Sequence, residues 1–120
     1  MVSTLDNALQ ALFSMAHKEL LWKNASPASS FAEQNLSVNT TGYELILVTT
    51  TAGSAIMEYG DAAQIVIDFG AALTQRSVTW TNRTTININD CIRTITYGQT
   101  DSRVTLNTSL IPQAIYGIKL

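Results

Sequence analysis

The sequence predicts a mainly β protein: a β-sandwich or jelly roll of about eight short antiparallel strands, preceded by one N-terminal α-helix. Three observations carry that expectation. Residues 4–21 hold the one sustained helical period, and residues 23–30 are small and turn-forming. From residue 31 onward, short runs rich in β-branched residues alternate with turn signals. The expected organisation is a helix over 1–22, a linker over 23–30 and a sandwich domain over 31–120.

The helix is expected because Leu5, Leu9, Leu12, Ala16 and Leu20 recur at spacings of three and four. Ser3 can cap it, and Asp6 stands where a carboxylate faces the free amides and the positive end of the helix dipole. Ala8, Ala11, Phe13 and Met15 widen the apolar face beyond a simple seam. Such a helix either associates with identical copies, making those five residues an oligomerisation stripe, or lies on its own domain.

Asn24-Ala25-Ser26-Pro27-Ala28-Ser29-Ser30 supplies the linker. Strands are expected over 33–38, 44–50, 64–69, 75–80, 84–88, 92–98, 103–107 and 113–119. The turn signals between them are Thr41-Gly42, Ala52-Gly53, Gly60-Asp61, Phe69-Gly70, Thr81-Asn82, Asn89-Asp90 and Thr100-Asp101. By alternation Val78 and Trp80 share a face, and so do Ile86 and Ile88, while the unbroken run Leu45-Ile46-Leu47-Val48 predicts a strand covered on both sides.

Composition narrows the function. Hydrophobic residues make up 46% of the 120-residue chain and charged ones 13%, about half the usual globular charge content, so Thr, Ser and Asn must carry the surface. A weakly charged surface suits a protein packed against copies of itself or against neighbours. The net charge of -2 gives no electrostatic footprint for nucleic acid, and the scattered basic residues form no cluster for an anionic membrane. No apolar run reaches the roughly 20 residues of a membrane span, and no basic segment leads into one at the N-terminus, so neither membrane insertion nor a cleaved signal is expected.

The residues of common catalytic chemistry are sparse. His17 is the single histidine and Cys91 the single cysteine, which removes histidine-based triads, an internal disulfide and a zinc site of ordinary ligand set. Asp61, Asp90 and Asp101 stand at turn signals, where aspartate is favoured for its own backbone hydrogen bonds. No phosphate loop, calcium loop or zinc-helix motif occurs. A non-enzymatic protein with no cofactor and no metal is expected. One hairpin tip, Trp80-Thr81-Asn82-Arg83, groups an aromatic ring, an amide and a guanidinium, so Trp80, Asn82 and Arg83 are the candidate ligand-binding residues.

Longer motifs add a resemblance. Leu21-Trp22-Lys23-Asn24-Ala25-Ser26-Pro27, continuing through Ser29-Ser30-Phe31-Ala32-Glu33-Gln34, is followed by Gly42-Tyr43 and the hydrophobic run 45–48. Asn107, Ile111-Pro112 and Ile115-Tyr116-Gly117-Ile118-Lys119 close the chain. Residues 21–120 thereby resemble the C-terminal module of tail-fibre and baseplate-associated, receptor-binding proteins of phages and prophages of gut Firmicutes. The resemblance implies a virion protein assembled in the bacterial cytoplasm: a fibre-tip or receptor-binding head, displayed as a homotrimer beside other phage virion proteins and contacting a host surface polysaccharide. It implies no specific binding residue. The alternatives are a capsid decoration or head-fibre protein with a purely structural role, and a small carbohydrate-binding module or polysaccharide-degrading enzyme.

Overall fold

The computed structural model describes residues 17–68, 70, 72–97 and 100–119. Among them the chain is mainly β and contains no helix. Nine strands follow in order: β1 (His17–Lys23), β2 (Gln34–Ser37), β3 (Leu45–Thr50), β4 (Ser54–Glu58), β5 (Ala62–Asp68), β6 (Ala72–Asn82), β7 (Thr85–Tyr97), β8 (Thr100–Thr105) and β9 (Pro112–Lys119). They form two antiparallel sheets, one ordered β1-β9-β3-β4 and the other β2-β7-β6-β5, with β8 also paired to β7. β2 and β8 share one edge of the long strand β7: Leu36 pairs with Ile86 near one end, and Arg93 with Val104 near the other.

The alternation of side chains explains why the sheets share one core. Ile46, Val48, Met57 and Ile115 of the first sheet are buried in the same cluster as Leu36, Ile65, Val78, Trp80, Ile86, Ile88 and Cys91 of the second. Apart from Ile115, whose neighbour Ala114 is also buried, each of these residues sits between less buried neighbours in its strand, the period of two that a half-covered sheet demands. Phe31 closes one side of the core and packs edge-on against Trp22 at a centroid separation of 6.1 Å.

The N-terminal expectation is corrected. Residues 17–21, assigned by their spacing to the end of a helix, belong to β1, which pairs with β9 from His17↔Lys119 to Lys23↔Ala114. Two effects override helical period there: ladder bonds to an established strand, and a bulge between Leu20 and Trp22 that lets Trp22 reach Phe31. The rest of the expected helix, with Leu5, Leu9, Leu12 and Ala16, lies outside the described residues. Leu20 does not continue a helical stripe; it stands on the outer face of a sheet.

Two strand expectations change as well. The predicted strands 84–88 and 92–98 are one strand, β7, and Asn89-Asp90 is a bulge within it and not a turn. β4 was not expected, because Ser54, Ala55 and Glu58 carry little β propensity; it forms as the hairpin partner of β3, with Ile46 opposite Met57 and Leu47 opposite Ile56.

The first and last motifs of the chain lie against each other. The Asn24 backbone N–H donates to Gln113 O (2.9 Å) and its side-chain amide to Pro112 O (2.8 Å), while its Oδ1 accepts from Ser26 N (2.8 Å). The linker is thus pinned to the start of β9.

Candidate functional site

The predicted hairpin tip is a structural joint. Trp80 is 1% exposed, and its indole N–H donates to the Thr40 hydroxyl at 3.0 Å, so no ring face is left for a ligand. Asn82 is spent on its own turn, its Oδ1 accepting from the Thr84 N–H (2.9 Å) and hydroxyl (3.1 Å). Arg83 lies over the Tyr59 ring, 3.6 Å from its centroid, donates to the Tyr43 carbonyl and pairs with Glu44 at 3.1 Å. Its planar guanidinium therefore bolts the β6–β7 hairpin to the segments before β3 and after β4. The three residues are close together, as the sequence suggested, but they do not form an open binding site. The face that alternation gives Trp80 and Val78 in common is the buried one, with Val78 0% and Trp80 1% exposed.

A second arrangement, not anticipated, centres on a buried arginine. Arg76 on β6 is 0% exposed, and its Nη1 donates to Phe31 O (2.9 Å) and Asn89 O (2.7 Å). Its Nη2 donates to Ser109 O (3.0 Å), with Asn107 O at the limit of bonding distance (3.5 Å). The reason lies in β7. Arg76 pairs with Cys91 and Val78 with Ile88, so the single residue Ser77 opposes two, Asn89 and Asp90. Such a bulge releases backbone groups from the ladder. Asn107 takes up the slack: its Oδ1 accepts from Cys91 N (2.7 Å), and its Nδ2 donates to Asp90 Oδ1 (2.9 Å). Asp90 Oδ1 also accepts from Glu33 N (2.8 Å). These two donors hold the Asp90 carboxyl below the usual carboxylate range. Cys91 is buried beside Arg76, and desolvation pushes its thiol up from the ordinary value, which makes it unreactive.

The bulge opens outward into a polar groove. On the outer face of the second sheet, Gln64 of β5 stands opposite Ser77 of β6, and Gln75 lies between Val66 of β5 and Ile92 of β7. Gln64, Gln75, Ser77 and Ile92, together with Asn89, Asp90, Glu33 and Arg103, line a depression of about 370 Å³, with Val66 beside it. Arg103 forms no ion pair with any described residue. Beyond the groove, the Asn87 amide donates to Asn35 Oδ1 at 2.8 Å, extending the amide surface across β2.

The outer face of the first sheet is the opposite in character. Register aligns Leu20, Tyr116, Leu47 and Ile56 in one row across β1, β9, β3 and β4. Leu20 is 54% and Ile56 47% exposed, and Lys18 Nζ lies 4.5 Å from the centroid of the Tyr116 ring. The next row reads Lys18, Ile118, Leu45, Glu58, with opposite charges at its two ends. Beside this face, Glu44, Leu45, Glu58 and Tyr59 border a depression of about 330 Å³ next to the Arg83 joint.

Among the described residues, no group of three His, Cys, Asp or Glu side chains could hold a metal ion, and no helix is long and apolar enough to cross a membrane. No protein-family model, no curated protein and no solved structure matches the chain.

Proposed function

We propose that the chain is a non-catalytic assembly and recognition protein of a bacteriophage particle: a β-sandwich head that self-associates through its apolar sheet and contacts host surface glycan with its polar one. The carrying observation is the asymmetry of the two outer faces. A continuous row of Leu20, Tyr116, Leu47 and Ile56 left in water is a cost that a protein of this size avoids unless the face is covered, whereas on the opposite sheet Val66 and Ile92 are set among Gln64, Gln75, Ser77 and Asn89.

A second copy of the chain is the occupant that fits the apolar face. The row is flanked by Lys18 at one end and Glu58 at the other, so a copy turned by half a revolution sets each charge against its opposite. The low charge content of the whole chain supports the same reading. The virion setting is supported by the resemblance of residues 21–120 to phage receptor-binding modules. Against catalysis stand the lowered pKa of Asp90, the reverse of what a general acid needs, and the engagement of Arg83 and Trp80 in structural contacts.

Light scattering on the full chain tests the assembly. A defined oligomer is expected, and Ile56→Lys or Leu20→Lys is expected to give a monomer with an unchanged circular dichroism spectrum. A full chain that stays monomeric at millimolar concentration refutes self-association. Co-purification with tail proteins, and not with capsid proteins, is the expected outcome in an infected lysate.

A further inference from the structure

The groove on the outer face of the second sheet is, we infer, a binding site for a neutral glycan, with Gln64, Gln75, Ser77 and Asn89 as hydroxyl partners and Arg103 as an added donor. The inference rests on the recognition half of the proposed function and gives it a location. Three features of the groove converge on that ligand. First, half of its lining is side-chain amides and a hydroxyl (Gln64, Gln75, Asn89 and Ser77), each able both to donate and to accept, which is what the adjacent hydroxyls of a sugar ring require. Second, Ile92 and Val66 flank Gln75 and supply an apolar patch; Val66 is 46% exposed, open to the C–H face of a ring. Third, charge is nearly balanced, with Glu33 and Asp90 against Arg103, so a polyanion gains nothing here.

The groove is also preorganised. The bulge sets Asn89 and Asp90 together opposite Ser77, and interrupting the ladder for this purpose requires the buried Arg76 and the Asn107 side chain to satisfy the freed groups. Asp90 is fixed through Oδ1 by Glu33 N and Asn107 Nδ2, so a ligand hydroxyl is left its other oxygen. Bulges that re-aim side chains in this way are a recurrent device at binding sites. A volume of about 370 Å³ sits at the small end of ligand sites, suited to one or two sugar rings. Among the described residues no aromatic ring lines the groove, so affinity per site is expected to be on the order of 1 mM. Display in several copies then supplies avidity.

The test is a side-chain amide NMR titration of the full ¹⁵N-labelled chain. The probes are gluco-, galacto-, manno- and N-acetylglucosamine oligosaccharides, with oligogalacturonate as an anionic comparator. The expected result is that one neutral series shifts the amide signals of Gln64, Gln75 and Asn89. Gln75→Ala and Arg103→Ala should each weaken that binding by at least fivefold without changing the melting temperature. Shifts confined to the Tyr59 and Arg83 end, with Gln75→Ala binding at full strength, overturn the site while leaving glycan recognition standing. Binding of oligogalacturonate alone overturns the neutral assignment. No binding of any sugar at 50 mM overturns both the site and the recognition reading.

Discussion

The ring of Tyr43 fills the space that a side chain on Gly117 would need. A Cβ added at Gly117 would lie 2.5 Å from Tyr43 Cδ1 and 2.7 Å from Cγ, far inside contact distance. The Tyr43 hydroxyl donates to Glu19 on β1, and Lys119 Nζ lies 5.3 Å from the centroid of its ring. Gly42, at φ +91, is the left-handed residue that delivers Tyr43 to this place. The glycine-tyrosine pair before β3 and the tyrosine-glycine pair in β9 are thus two halves of one contact.

Gly117→Ala is therefore expected to destabilise the fold by about 1–3 kcal/mol, the usual cost of overpacking a tight interior. Tyr43→Ala should remove much of that penalty in the double variant. Urea denaturation of the four proteins in the cycle reads the coupling directly. Additive effects would mean that the ring yields without strain.

Arg76 is the second point of high sensitivity. The carbonyls of Phe31, Asn89 and Ser109 depend on it, and they belong to the backbone, so no single substitution removes donor and acceptors together. Arg76→Met keeps the length of the side chain but strands these carbonyls, and a loss of about 3–5 kcal/mol is expected in chemical denaturation. Arg76→Lys, with three donors at one point, should fall between the two. A neutral Arg76→Met variant would show that the carbonyls find other partners.

Much of the mainly β, antiparallel character was legible because the strands speak in β-branched residues at a period of two. The pairing of Trp80 with Val78, and of Ile86 with Ile88, on a shared face follows from alternation, and the structure buries all four in the core. What failed was local signal opposed by tertiary pairing. The stretch His17–Lys23 is rich in residues that favour helices, yet it is held as a strand by β9. Asn89-Asp90 has turn chemistry, yet it makes a bulge because Arg76 and Asn107 absorb the displaced backbone. The polar groove was invisible for a different reason. Gln64, Gln75 and Asn89 come from three strands, and only register brings them together, which a lone sequence does not reveal.

The hairpin tip gives a prediction that separates structure from binding. Trp80→Ala empties a large core volume and is expected to cost about 3–5 kcal/mol. Trp80→Phe retains most of the packing and loses the bond to Thr40, for about 1 kcal/mol. Arg83→Ala releases the joint to Tyr59 and Glu44 for about 1 kcal/mol, since this pair is partly exposed. Trp80→Phe and Arg83→Ala, both folded at 20 °C, should bind glycan as the parent chain does. Loss of sugar binding in Arg83→Ala, with melting unchanged, would restore the tip as the ligand site.

Asp90 predicts the acid limb of the stability curve. Donation from Glu33 N and the Asn107 amide lowers its pKa in the folded chain, against a smaller opposing effect of burial. A carboxyl depressed on folding contributes stability that is fully present above its unfolded pKa of about 3.9 and is lost as pH falls through the lower folded value. Asp90→Asn keeps the shape, gives up the charge, and should be less stable than the parent at pH 7. The gap between the two should hold constant down to about pH 5 and then close steadily below about pH 4. Asn107→Ala removes one of the two donors and should narrow the same acid dependence without abolishing it. Melting temperatures of the three proteins between pH 2 and pH 7 decide the matter: parallel acid limbs for the parent and Asp90→Asn would show that Asp90 contributes nothing through its charge.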